Sequence, residues 1–322
     1  MTGVKQRISF DELLHKVSSL AAVLCSHGVK KGDTVVVYMP MVPEAVVAML
    51  ACARLGAIHN VVFGGFAPKE LAKRIEDCKA DVVLTATCGV EPTKIIRYRP
   101  LLEAAIRLCA HKPRVRIVLQ RRQARERLDV SSGEYDWEAE VAAAEKRGDK
   151  AACTSVSALD PLYILYTSGS TGVPKGVVRD NGGHAVALSW VMKHMCGVMP
   201  GDVFFSASDV GWVVGHSFIV YGPLLSGCTT IVYEGKPVGT PDAGAFWRIV
   251  DEYGAKCLYT APTALRAVKR EDPEGALVKH YNLATLKGLY LAGERCDPDT
   301  VKHYQRLLNI PLRDNWWQTE TG

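Results

Sequence analysis

The stretch Tyr166-Thr-Ser-Gly-Ser-Thr-Gly-Val-Pro-Lys-Gly-Val-Val178 gathers hydroxyls, glycines and one cation. Thr167, Ser168, Ser170 and Thr171 offer O–H donors, and Lys175 adds a positive charge. Gly169 and Gly172 allow successive backbone N–H groups to turn inward as a nest for anions. Phosphate suits that collection. The spacing is not that of the Walker loop G-x-x-x-x-G-K-[ST], because Lys175 follows Pro174 and precedes Gly176, with no hydroxyl beside it. A polar hairpin without a ligand is the plainer alternative. Three further segments have chemistry-bearing types at close spacing. Asp209-Val-Gly-Trp-Val-Val-Gly-His-Ser-Phe-Ile-Val-Tyr-Gly-Pro223 sets His216 among Trp212, Val213 and Val214. Leu289-Tyr-Leu-Ala-Gly-Glu-Arg295 ends a strand at Gly293, where a flat ring can lie against backbone. Asp314-Asn-Trp-Trp-Gln-Thr-Glu-Thr-Gly322 places two tryptophans before a carboxamide, a hydroxyl and a carboxylate. Taken singly, His216 reads as a core histidine, the Gly293 turn as a plain strand end, and the tryptophans as a buried anchor.

Together the strings resemble the AMP-forming adenylate enzymes, and Arg179-Asp-Asn-Gly-Gly-His184 narrows the likeness to short-chain acyl-CoA synthetases of the propionyl type. The resemblance implies ATP, Mg²⁺ and coenzyme A as small-molecule partners. It implies that Thr167 to Gly172 and Lys175 hold phosphate, and that His216 lies beside the substrate carboxylate. Val213, Val214, Ala292 and Trp317 then enclose the acyl tail. Gly293, Glu294 and Arg295, with Asp314, Asn315, Trp316, Trp317, Gln318 and Thr319, meet adenine and phosphate. Glu320 helps hold Mg²⁺, a hard cation that prefers oxygen. Many members have proline where Arg295 stands. Phe63-Gly-Gly-Phe66 resembles a glycine turn near the pantetheine tunnel. Glu91, Pro92, Thr93 and Lys94 fall where relatives place two basic residues on the nucleotide end of coenzyme A, so Glu91 has the wrong sign there. Acetate-type members carry valine where Ala292 stands; alanine frees room for another carbon and favours propionate.

The resemblance also implies further segments: an Asp for the ribose, a hinge, and a small C-terminal lid with a catalytic lysine. None is found within the 322 residues, so the chain is expected to be a fragment with little ligase activity. A non-catalytic truncated isoform, or an adenylation domain with another acceptor, is the alternative.

Hydrophobic residues make up 48% and charged residues 23%, ordinary values for a globular chain. A net charge of +5 suits anionic small molecules without demanding nucleic acid or membrane. No apolar run is long enough to cross a bilayer. Ten cysteines, mostly within apolar stretches and without a C-x-x-C pair, read as free thiols in a reducing compartment. No signal or transit segment is visible, so the chain as written reads as cytoplasmic, whereas animal relatives of the propionyl type imply the mitochondrial matrix. The sequence is silent on oligomeric state.

The elements that must position these residues follow from periodicity. Ser9-Phe-Asp-Glu12 is a capping box before a helix whose Leu13, Val17, Leu20, Ala21 and Leu24 share a face. Strands are expected at 34–38, 57–63, 81–86 and 114–119, with helices at about 43–56, 68–78 and 100–110. In the second half, strands are expected at 162–166, 176–179, 203–206, 229–233, 256–259, 288–291 and 312–316, and helices at 183–195, 243–253 and 298–308. This alternation predicts an α/β protein of two subdomains with mainly parallel sheets. Their expected bounds are 1–119 and 160–322, joined by a linker over 120–159. The basic run Arg121 to Arg127 within it reads as a solvated face, because no aromatics interleave with it.

Overall fold

The computed structural model of the chain describes residues 2–167 and 174–322. They form two compact units, 2–183 and 184–322.

The strands of the first unit are β1 (Thr34–Tyr38), β2 (Ile58–Val61), β3 (Val82–Ala86), β4 (Cys88–Val90), β5 (Ile95–Arg97), β6 (Val115–Leu119), β7 (Glu134–Asp136), β8 (Pro161–Thr167) and β9 (Lys175–Asp180). Seven of them make one sheet in the order β7-β6-β3-β1-β2-β8-β9. All pairs in it are parallel except β8 with β9. β1 and β3 are buried along almost their whole length, which is why they read as continuous apolar runs rather than alternating ones. β4 and β5 form a separate antiparallel hairpin. The helices are α1 (Phe10–Ser26), α2 (Pro43–Leu55), α3 (Pro68–Cys78), α4 (Tyr98–Leu108) and α5 (Trp137–Arg147). Ser9 and Glu12 form the expected capping box at the start of α1. Leu71 and Ile75 of α3 and Leu102 and Ala105 of α4 close a core against Val36 and Val83 of the sheet.

Residues 120–159 are not a linker. β7 extends the sheet beside β6, and α5 packs on α1. Ser19 Oγ donates to Glu145 at 3.1 Å, His27 faces Glu140 at 3.1 Å, and Arg54 Nε donates to Ala151 O at 2.7 Å. The periodicity hid this because β7 has three residues and α5 buries only Trp137 and Ala144. A helix held by polar contacts and one aromatic shows little apolar stripe. The expected second subdomain also starts too early at 160, since β8 and β9 complete the first sheet.

The second unit carries β10 (Val203–Ser206), β11 (Thr229–Thr230), β12 (Cys257–Thr260), β13 (Gly288–Leu291) and β14 (Leu312–Asp314). They form a wholly parallel sheet in the order β11-β10-β12-β13-β14. Successive side chains leave opposite faces of a strand. Phe205, Leu258, Leu289 and Leu291 therefore join Trp247, Leu265 and Tyr304 in one core. Phe204, Cys257, Tyr259, Tyr290 and Ala292 join the other, with Phe218 and Met192. The helices Ala245–Tyr253, Pro262–Glu271 and Pro298–Leu308 contribute to the first of these cores.

Candidate functional site

The residues expected to do chemistry in the second unit lie at or beyond the carboxyl ends of its parallel strands, where ligands of open α/β sheets lie. β10 ends at Ser206, and the chain then makes a tight turn. Gly211 N–H donates to Asp209 Oδ1 at 2.7 Å, and Trp212 N–H donates to Asp209 O at 3.0 Å. A helical segment follows in three pieces: a short α-turn Val213–Gly215, a π-helix His216–Tyr221, and an α-turn Gly222–Leu225. The π-turn spaces side chains more widely than an α-helix and recurs at functional sites. All six of its residues are buried.

His216 is fully buried at the head of this turn. Its Nδ1 lies 3.0 Å from Trp212 O. A carbonyl only accepts, so Nδ1 carries the proton and Nε2 the lone pair in the neutral ring. Burial pushes the imidazole down to about 4, with a small further push from nearby His184, so the ring is neutral at pH 7. Burial likewise raises the Asp209 carboxyl to about 6, against the Gly211 N–H and Lys236, which both favour its charged form.

Val214, Ala292 and Trp317 pack in one cluster with Phe218, Tyr259 and Tyr290, so three of the four expected acyl-pocket residues meet. Val213 is half-buried and lies outside that cluster. The aromatic rings form a ladder. Tyr290 stacks on Tyr259 at 6.0 Å and 11°, Tyr259 on Phe218 at 4.5 Å and 20°, and Phe218 meets Trp317 edge-on at 5.4 Å and 66°. Sequence reading passed over Phe218 and Tyr259. The available signal was their spacing: Phe218 stands two residues after His216, and Tyr259 closes an apolar strand.

The expected nucleotide residues converge at the ends of β12, β13 and β14. Ala292 N–H donates to Thr260 O at 3.2 Å and Asn315 N–H to Leu291 O at 2.8 Å. Gly293 sits at φ +103°, a conformation that leaves its backbone open on the side-chain side. Asp314 Oδ2 accepts from Cys296 N–H at 2.9 Å, and Asn315 Nδ2 lies 3.4 Å from Tyr259 Oη. Glu294 is engaged by Arg266 at 2.6 Å, while Arg295 is exposed. Trp316 is 79% exposed and Trp317 half-buried, so the adjacent tryptophans part company: one faces the cluster, the other solvent. Gln318 N–H donates to Thr321 Oγ1 at 3.0 Å in the turn that carries the half-buried Thr319 and the exposed Glu320. No group of three or more His, Cys, Asp or Glu side chains suited to a metal occurs among the described residues. The exposed Glu320 fits Mg²⁺ in that cation's usual mode, one carboxylate plus substrate phosphates.

In the first unit, Thr167 ends β8 and Lys175 opens β9, paired with each other across the hairpin, with Lys175 exposed. Ser168, Gly169, Ser170, Thr171 and Gly172 lie outside the described residues. The strand that leads to them is firmly tied: Tyr166 Oη donates to Asp77 at 2.5 Å, and the Arg74 guanidinium lies over both Phe66 and Tyr166. Glu91 to Lys94 form the turn between β4 and β5, where Glu91 N–H donates to Lys94 O at 2.9 Å. Lys94 Nζ stands 3.6 Å from the Glu91 carboxylate, so the one cation at this position faces an anion of its own chain. Pro92 and Thr93 are exposed.

Among the described residues no helix is long and apolar enough to cross a membrane. The AMP-binding enzyme family matches residues 1–322. Acyl-CoA synthetase short-chain family member 3, mitochondrial, of Rattus norvegicus is 54% identical over 323 residues, which is 100% of this chain and 47% of that protein. Propionate–CoA ligase of Escherichia coli K12 is 45% identical over 321 residues, 100% of this chain and 50% of its own length. The solved acetoacetyl-CoA synthetase from Streptomyces lividans superposes with a TM-score of 0.84 at 28% identity, over 96% of this chain and 46% of that one. The chain spans about half the length of the curated relatives it matches. The match over the whole chain places it: the chain belongs to the AMP-binding enzyme family.

Proposed function

We propose that the chain carries the nucleotide- and acid-binding part of an AMP-forming acid–CoA ligase for short-chain carboxylates, with propionate preferred. The carrying observation is the packing of Val214, Ala292 and Trp317 into one aromatic-walled cluster on the sheet face that holds the strand ends. In this reading the carboxylate oxygen attacks the α-phosphorus of ATP in line and pyrophosphate leaves, giving the acyl-adenylate. The thiol of coenzyme A then attacks the acyl carbonyl, and AMP leaves. No protein nucleophile takes part; positioning and charge carry the catalysis. In this reading Lys175 neutralises the departing pyrophosphate. Mg²⁺ held by Glu320 supplies charge neutralisation on the phosphates when bound. Gly293, Glu294, Arg295 and Asp314 to Thr319 receive the nucleotide. His216 meets the carboxylate with Nε2, so acid binding favours a proton there and is linked to its uptake.

Trp317 limits tail length, and Ala292 leaves room for a third carbon. A methylene in an apolar pocket is worth roughly 1–3 kcal/mol, so preference over acetate is about 10- to 200-fold at most. The Glu91–Lys94 pair argues for a weakened grip on the nucleotide end of coenzyme A at that turn. Relatives named as mitochondrial support a matrix location, while the bacterial propionate–CoA ligase shows that the family is not confined to that organelle. The test uses alkyl esters of AMP, stable mimics of acyl-adenylates, titrated calorimetrically into the complete polypeptide. The propyl ester is expected to bind more tightly than the ethyl ester and far more tightly than the hexyl ester. Equal affinity for all three overturns the acid-pocket reading.

A further inference from the structure

Trp317, one of the expected walls of the acyl pocket, packs against a residue that sequence reading gave no role. Its indole is half-buried, and the ring against it is Phe218, edge-on at 5.4 Å. Phe218 is itself 3% exposed and fixed between two strands. It lies face-to-face with Tyr259 of β12 at 4.5 Å and stacks on Phe204 of β10 at 6.0 Å and 18°. Tyr259 is held in turn by Tyr290 on its far face, with Asn315 Nδ2 3.4 Å from its hydroxyl. Asn315 stands two residues before Trp317, so the ladder meets the tryptophan-bearing segment at the Asn315 side chain and at the indole ring. The π-turn is what brings Phe218 to that position. Two residues after His216, it lies in the sheet-face cluster together with Val214 and Ala292.

We propose that Phe218 is a specificity-determining positioning residue: by bracing the Trp317 indole from its edge, it sets the depth of the acyl pocket and hence the longest chain accepted. This rests on the acid-pocket reading above. Edge-to-face contacts between aromatic rings are directional, so a side chain of similar size but no ring fills the space without fixing the indole. With the edge contact gone, the indole is free to tilt against the aliphatic side chain and the pocket deepens. Phe218 touches no substrate in this account; it acts through Trp317.

The test compares affinities of the propyl and pentyl esters of AMP for wild type, Phe218→Leu, Phe218→Tyr, Trp317→Gly and the Phe218→Leu/Trp317→Gly pair. The ratio of two affinities is independent of how much protein is folded. In Phe218→Leu the pentyl ester is expected to gain about tenfold relative to the propyl ester, the lower end of what one accommodated methylene is worth. Phe218→Tyr keeps the ring and the wild-type ratio. In the Trp317→Gly background the wall is gone, so adding Phe218→Leu changes the ratio by less than about twofold if the two residues act as one unit. Wild-type binding of the esters with a ratio unmoved by Phe218→Leu, or moved equally in both backgrounds, overturns the proposal alone. Failure of every ester to bind wild type sinks the acid-pocket reading beneath it.

Discussion

His216 makes a measurable demand on pH. Its ordinary value is about 6.5, and burial lowers it to about 4 in the folded chain. Above pH 6.5 both folded and unfolded chains hold it neutral. As pH falls below 6.5, the unfolded chain binds a proton that the folded chain refuses until about pH 4. Stability therefore falls across that window and levels off below it, by about 3 kcal/mol at full extent. His216→Asn removes the group and the slope, so urea unfolding at pH 7 and pH 4.5 should show the wild type losing about 2–3 kcal/mol more than the variant. Asp209 acts in the opposite sense. Its folded value is raised to about 6, so protonation of the folded chain comes first and stability rises as pH falls through the same region. Asp209→Asn should accordingly steepen the acid loss. An acid loss in His216→Asn equal to that of wild type would refute the neutral buried ring. Sequence alone could mark His216 and Trp317 as residues of interest, because each sits in an unusual string. It could not mark Phe218 or Tyr259, since an aromatic in an apolar run looks the same whether it fills a core or braces a wall.

At the scale of elements, segments with a strong period or clear caps were legible and those without were not. β1, α3, β10, β13 and the helix Pro298–Leu308 fall at the expected residues because each has a strong period or clear caps. The strand expected at 229–233 pairs only over Thr229–Thr230. The π-turn left no trace in the sequence, because one extra residue per turn does not alter which residues are apolar when all of them are buried. Its entry is where backbone geometry is tightest. A Cβ at Gly215 would stand 2.0 Å from Asp209 O, 2.5 Å from Asp209 C and 2.6 Å from Val210 Cα. All three are backbone atoms of the turn that fixes His216, so no side chain can swing aside. Gly215→Ala should therefore cost about 3 kcal/mol or more in urea unfolding, at the upper end of overpacking effects, and should weaken AMP-ester binding in whatever folded fraction remains. A loss below about 0.5 kcal/mol would mean that the turn is looser than its contacts indicate.

The whole molecule offers a test through its thiols, because they are distributed over both units and differ sharply in burial. Cys25 and Cys153 are exposed, Cys78 is half-buried, and Cys52, Cys88, Cys109, Cys196, Cys228, Cys257 and Cys296 are buried. Burial also suppresses the thiolate, the reactive form: it lifts Cys52 and Cys257 to about 12 and Cys228 to about 11. At pH 8, iodoacetamide should label Cys153 first and Cys25 more slowly, since partial burial raises the Cys25 thiol. The seven buried thiols should react only when their unit opens. Cys196, Cys228 and Cys257 pack in the same cluster as Ala292 and Trp317, so their labelling reports on the proposed acid pocket directly. A ligand that binds only the folded form lowers the open population by the factor 1 + [L]/Kd, about 100-fold at 100 times Kd. The propyl ester of AMP at that concentration should slow labelling of those three thiols by about that factor and leave Cys153 unchanged. Mass mapping of the labelled peptides decides it. Prompt labelling of the buried thiols in the native chain would contradict the packing, and protection confined to Cys52, Cys88 and Cys109 would place the ester in the first unit instead of against the aromatic ladder.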